Sequence, residues 1–236
     1  MSYLENKFFL LFITFGVFFA AKWIQKKTGY VLLNPILITL AVLITFLKLT
    51  GISYETYNEG GEFIEFWLKP AVVALGVPLY LQLKQIKKQL IPILLSQLAG
   101  CVVGIISVVL IAYLLGASKE VILSLAPKSV TTPIAMEVSK AIGGIPALTA
   151  AVVVCVGLLG SIAGFKVMKM LKVNQPISQG LSMGTAAHAL GASTAMEISS
   201  KYGAYAGLGL TLNGILTALL TPSILRLMGF LSQNIY

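Results

Sequence analysis

Four stretches of this chain carry no charged side chain at all: between Lys27 and Lys48, Lys88 and Lys119, Lys140 and Lys166, and Lys201 and Arg226 lie 20, 30, 25 and 24 uncharged residues. As helices rising about 1.5 Å per residue, each can cross about 30 Å of hydrocarbon. A chain with four such intervals is built for a lipid solvent. Its composition agrees: 57% of the 236 residues are hydrophobic and 11% charged, with a mean hydropathy of +0.91, whereas a soluble domain carries about 25% charge. Too few polar side chains remain to cover a wetted surface, which excludes a water-soluble enzyme, a nucleic-acid-binding module and a disordered chain.

Two further crossings, 6–25 and 66–83, each accept one lysine near an end, Lys22 and Lys69, whose stems can snorkel to the interface. The expectation is therefore an all-α, polytopic protein with six full spans. The first span is not a cleavable signal peptide, because Lys22, Lys26 and Lys27 follow the apolar run and no small-residue cleavage site appears. The net charge of +9 reports topology rather than a nucleic-acid partner. Lysines gather after the first span (Lys22, Lys26, Lys27), between the third and fourth (Lys84, Lys87, Lys88) and at the end of the fifth (Lys166, Lys169, Lys172). These are expected to be cytoplasmic. The segment Gly51–Phe66 has Glu55, Glu59, Glu62 and Glu65 but no lysine, and reads as an outward loop, so the N-terminus is expected outside.

Two segments remain, about 117–143 and 176–203, and each is interrupted in its middle. The first contains Pro127 and Pro133, which remove backbone donors and break a continuous helix. The second contains Ala187-His-Ala-Leu-Gly-Ala-Ser-Thr194, a small-residue stretch suited to a turn. A full crossing at 117–143 would put Lys166, Lys169 and Lys172 outside. Both segments therefore read as re-entrant helical hairpins, with irregular backbone tolerated only where protein or a polar cavity surrounds it. Shifting the chain against itself by 60 residues superposes Ala-Met-Glu at 135–137 and 195–197, Ser139 and Ser199, and Gly143 and Gly203. The same register pairs Lys128 with His188 and Glu137 with Glu197. The domains expected are a four-span scaffold, 1–115, and an inverted repeat of hairpin plus transmembrane helix over 116–236, with units at about 117–171 and 176–231. Inverted repeats with broken helices at mid-membrane frame the site of many secondary transporters.

Lys128, Glu137, His188 and Glu197 are the ionisable residues expected inside the membrane. A charge at the bilayer centre costs about 2.5–3.5 kcal/mol on insertion scales, so each is a functional candidate. Lys128 reads as the counter-ion of a substrate carboxylate, aided by the positive ends of half-helices that start after each break. Its structural alternative is an ion pair with Glu137 or Glu197. His188 reads as a substrate-binding or proton-carrying group, or as a satisfied core histidine. Glu137 and Glu197 read as proton-coupling residues or as members of a structural ion pair, and Thr194-Ala-Met-Glu197 also fits a capping box. Ser129, Thr131, Thr132, Ser193 and Thr194 place hydroxyls beside the breaks, where they either build an anion-binding nest with free backbone N–H groups or cap the half-helices. Asn213 faces the same cavity or bonds a neighbouring helix. The pairs Gly100/Gly104, Gly160/Gly164 and Gly203/Gly207 read as close helix packing. With one histidine, no aspartate and Cys101 and Cys155 lying in separate apolar runs, neither a metal site, nor a disulfide, nor a catalytic residue is expected.

The segments SLAPKSVTTPIAMEVS (124–139) and GTAAHALGASTAMEIS (184–199) resemble the LrgB/CidB membrane proteins, in order and spacing, over nearly the whole chain. That resemblance implies a multi-pass protein of the bacterial inner membrane beside a separate LrgA/CidA-type membrane partner, with a link to murein hydrolase control and autolysis through a holin/antiholin analogy. It also implies relatives that move small acids, glycolate and glycerate in plastids and pyruvate in some bacteria. Together with Lys128 and the half-helix ends, it leads to the expectation of a secondary transporter of small monocarboxylates (glycolate, glycerate, lactate or pyruvate) working by alternating access of elevator type. No cofactor is expected, a proton or sodium ion is left open as the coupling ion, and a homodimer or higher homo-oligomer in lipid is expected, with no nucleic acid. The rival is a holin/antiholin-like pore or regulator.

Overall fold

The computed structural model describes residues 3–30, 33–74, 80–81 and 83–231, and every regular element among them is helical. By contacts the chain divides into Met1–Ala74 and Leu75–Tyr236. The first unit holds α1 (Lys7–Thr28), α2 (Pro35–Thr50) and α3 (Tyr54–Ala74). Asn6 and Asn34 cap α1 and α2 by accepting from the Phe8 and Ile36 amides at 2.9 Å. Pro35 occupies the first turn of α2, where its missing N–H costs nothing. On α1, Phe8, Phe12, Phe15, Phe19 and Trp23 stand exposed, spaced to share one face as a lipid-facing surface requires.

The acidic segment expected as a loop is helix from Tyr54 onward. At 100° per residue Glu55, Glu59 and Glu62 share one face, and all are exposed. Tyr57 and Gly60 lie opposite, toward α1: a Cβ on Gly60 would stand 2.7 Å from the Lys7 carbonyl, and the Tyr57 and Thr14 hydroxyls meet at 2.9 Å. A run of glutamates at helical spacing is thus an amphipathic helix. The expected third span, 66–83, falls partly on residues 75–79 and 82, outside the described residues. The expected second span is the 16-residue α2, about 24 Å long.

The second unit holds α4 (Leu83–Lys88), α5 (Leu90–Leu114), α6 (Lys119–Leu125), α7 (Thr132–Ile142), α8 (Pro146–Met170), α9 (Pro176–Ile198) and α10 (Ser200–Leu227). Among the described residues α1, α5, α8 and α10 are long and apolar enough to cross a membrane. α5 packs against α10 and α6, beside the broken segments.

Both interruptions are present in the backbone. Between α6 and α7 the chain turns through Ala126–Ser129, and Pro133 starts α7 in its first turn. α9 is kinked at His188, which takes φ 42° and ψ −130°. A non-glycine residue held there costs of order 1–3 kcal/mol. The kink folds the two halves of α9 so closely that a Cβ on Gly191 would collide with the Met183 carbonyl.

Lipid offers no hydrophobic force to press helices together, so small residues must supply close contact. Along α8, Gly157, Gly160 and Gly164 receive His188, Ala187 and Met183 of α9. Gly203 packs on Met196, whereas Gly104 and Gly207 have nothing within 4 Å of an added Cβ. Only part of the glycine pattern is therefore packing. Gly160→Ala is expected to destabilise the protein by about 1–3 kcal/mol, while Gly207→Ala leaves it unchanged or gains up to about 1 kcal/mol. Thermal unfolding in detergent checks this, and equal losses for the two would contradict the packing described.

Candidate functional site

The first break is fastened to α8 by hydroxyls. Ser124 on α6 accepts from the Ile145 amide at 2.7 Å, and Thr149 on α8 lies 2.7 Å from the Ser139 hydroxyl and 3.0 Å from the Ser124 carbonyl. All three side chains are fully buried. With both legs held, the turn between them projects Lys128 and Ser129 into a cavity of about 540 Å³, bounded also by α5, the first half of α9, and α10.

A polar band crosses this cavity. The Lys128 ammonium donates to the Ser129 hydroxyl at 2.9 Å. Asn213 on α10 spends both amide hydrogens on backbone carbonyls, that of Ser129 at 2.9 Å and that of Thr185 at 3.1 Å. Because both partners can only accept, the amide orientation is fixed and Oδ1 is the remaining atom. That Oδ1 is buried without a partner, in a side chain 1% exposed. Thr185 reaches Gln97 on α5 at 2.6 Å, and Cys101 lies 3.5 Å from the Thr217 hydroxyl. Chemically the band offers one cation and several hydroxyls, with the Asn213 Oδ1 enclosed behind them. Among the described residues no carboxylate pairs with Lys128, and Glu137 and Glu197 are exposed. The ion pair left open by the sequence is absent among those residues.

Of the residues the sequence offers as binding or proton-coupling candidates, Lys128, Ser129 and Asn213 meet at this cavity, and the others are not among its lining. Thr131 stands at the N-terminus of α7 without a side-chain cap, and Thr132 begins the helix. Ser193 is exposed, and Thr194 donates within α9 to the Leu190 carbonyl at 3.0 Å, so the capping box over 194–197 does not form. His188 turns away from the cavity: its Nε2 lies 2.9 Å from the Val153 carbonyl of α8, and the ring is 4% exposed. The ring fills the space left by Gly157, where a Cβ would stand 2.6 Å from Cε1.

The 60-residue shift that pairs Lys128 with His188 also pairs Asn213 with Val153 and Thr217 with Gly157. One rule therefore relates the two cross-contacts. The first break is held by Asn213 on α10, the long helix that follows the second break, and the second break bonds Val153 on α8, the long helix that follows the first. The chemistry differs: polar and hollow around Lys128, apolar and filled around His188.

Gln97, Cys101, Thr185 and Thr217 line the cavity unannounced. For Gln97 and Cys101 the sequence signal lies in α5, where Ser96-Gln97, Gly100-Cys101 and Gly104 recur every four residues in a largely aliphatic helix. Among the described residues no group of His, Cys, Asp and Glu is placed to hold a metal ion.

The LrgB-like family profile matches residues 14–227. The chain is 40% identical over 218 residues to the Bacillus subtilis protein YwbG, covering 92% of this chain and 97% of that one. It is 35% identical over 225 residues to the antiholin-like protein LrgB of Bacillus subtilis (95% and 97% covered), and 35% identical over 218 residues to the holin-like protein CidB of Staphylococcus epidermidis (92% and 95%). No solved structure matches the chain. A profile that spans both breaks and relatives that align along almost their full lengths place this chain in the LrgB-like family.

Proposed function

We propose that this protein is a secondary carrier of small monocarboxylates. The observation that carries the reading is Lys128: an ammonium at a helix break, facing a cavity, with a hydroxyl but no carboxylate beside it among the described residues. Such a cation in a low-dielectric setting calls for an anion. The Ser129 hydroxyl beside that ammonium adds a second polar partner for a small acid of the glycolate, glycerate, lactate or pyruvate type. In this reading the chain makes six crossings and two re-entrant hairpins with the N-terminus outside, in the bacterial inner membrane. The inverted units alternate: the hollow side around Lys128 closes as the filled side around His188 opens. Glu137 and Glu197 are candidates for proton coupling, sodium being the other coupling ion to test. Homo-oligomers and a separate LrgA/CidA-type partner belong to the same proposal.

A second reading is favoured by the names of the relatives, antiholin-like LrgB and holin-like CidB. In that reading the chain forms or restrains a pore that governs murein hydrolase export and autolysis. The two readings separate in proteoliposomes. A carrier gives saturable, counterflow-capable uptake of labelled lactate that Lys128→Ala lowers at least a hundredfold, by about 3 kcal/mol for a lost buried charge pair. A pore gives leakage of unrelated solutes that does not saturate and ignores Lys128→Ala, and that result would overturn the carrier.

Cys101 supplies an independent check, since it lines the cavity while 3% exposed. In a Cys155→Ser background, lactate at ten times its Kd is expected to slow alkylation of Cys101 about tenfold by simple occupancy. An unchanged rate would remove the cavity as the binding place.

A further inference from the structure

The cavity is far larger than the acids just proposed. A three-carbon hydroxy acid has six non-hydrogen atoms, and allowing each the full liquid volume of a water, about 30 Å³, fills only about 180 Å³. The cavity holds about 540 Å³. It is also long: its wall on α5 runs from Gln89 to Ile105, about 24 Å of helix. The polar band sits midway, where Gln97, Thr185 and Asn213 meet. Beyond that band, toward the C-terminal end of α5, the lining is Gly100, Cys101, Gly104, Ile105 and Ala126, with Thr217 tied to Cys101. This portion is apolar and extends about 12 Å from Gln97 to Ile105. Cys101, Ile105 and Ala126 belong to one buried apolar cluster, so its wall is anchored in the core. Gly104 opens onto it with nothing within 4 Å of an added Cβ.

We infer that the site admits monocarboxylates with a short aliphatic tail, roughly four to six carbons, the carboxylate on Lys128 and the tail along the Gly100–Ile105 face of α5, with Gly104 setting the longest tail accepted. The inference rests on the carrier reading and specifies its substrate class. A carboxylate at Lys128 cannot enter this arm further, since the arm offers it no donor beyond Thr217. An alkyl chain loses nothing there, and each methylene removed from water adds about fourfold in affinity.

The test uses the full-length protein in proteoliposomes, with labelled lactate uptake competed by unlabelled straight-chain 2-hydroxy acids of increasing length. In the wild type, the four- to six-carbon acids are expected to compete progressively better than lactate, by up to about fourfold per carbon. Gly104→Leu is expected to abolish the gain with length, measured relative to lactate in the same variant, and Gly104→Ala to shorten the accepted tail by about a carbon. A wild-type profile that falls beyond three carbons, or a profile that Gly104→Leu leaves unchanged, overturns the tail site while the carrier stands. If Gly104→Leu does not fold, the wild-type and Gly104→Ala profiles decide alone. Absence of saturable uptake of any acid overturns the carrier reading and this inference with it.

Discussion

Two hydrogen bonds from one side-chain amide tie both broken segments of this protein to one continuous helix. Breaking a helix inside a membrane frees backbone groups that lipid cannot satisfy, at several kcal/mol each. Asn213 meets that cost by donating to Ser129 in the first break and to Thr185, in the turn before the second. One residue on a continuous helix thereby fixes the separation of two discontinuous ones, and the space between them becomes the cavity. Its own Oδ1 is left enclosed without a donor.

The two breaks are related by the repeat but not equal. The first presents Lys128 to a hollow lined by hydroxyls and a glutamine; the second inserts His188 against Gly157 and bonds it to Val153. The residues at related positions differ, asparagine against valine and threonine against glycine, and with them one break borders a polar cavity while the other is filled. Strain at His188, the one such residue inside a described helix, marks the second break as the place where the packed state stores energy.

The breaks were legible because proline and small residues act locally: Pro127, Pro133 and the stretch 187–194 disrupt a helix wherever they lie. Lys128, Ser129 and Asn213 were legible as polar groups in charge-free surroundings. The fate of His188 was not, because whether a ring faces a cavity or fills the gap beside a glycine depends on a helix thirty-five residues away. Gln97, Cys101 and Thr217 were hidden for a similar reason, since a small or neutral polar residue in an apolar helix acquires meaning only from what it faces. Glu55, Glu59 and Glu62 read as a loop by charge and as one face of a helix by spacing, and spacing prevailed because Gly60 lets α3 lie against α1.

Family membership ties this chain to relatives named antiholin-like and holin-like, and its cavity presents the Lys128 ammonium with no carboxylate beside it among the described residues. The central claim is that a carboxylate sits on Lys128. Solid-state NMR on membranes holding the protein with isotope-labelled lysine side-chain nitrogen, and lactate labelled at its carboxyl carbon, measures that contact directly. The account predicts a dipolar coupling equivalent to about 3–4 Å, lost in Lys128→Arg, which keeps the charge but removes the labelled nitrogen. No coupling, or a coupling that survives the replacement, would contradict it.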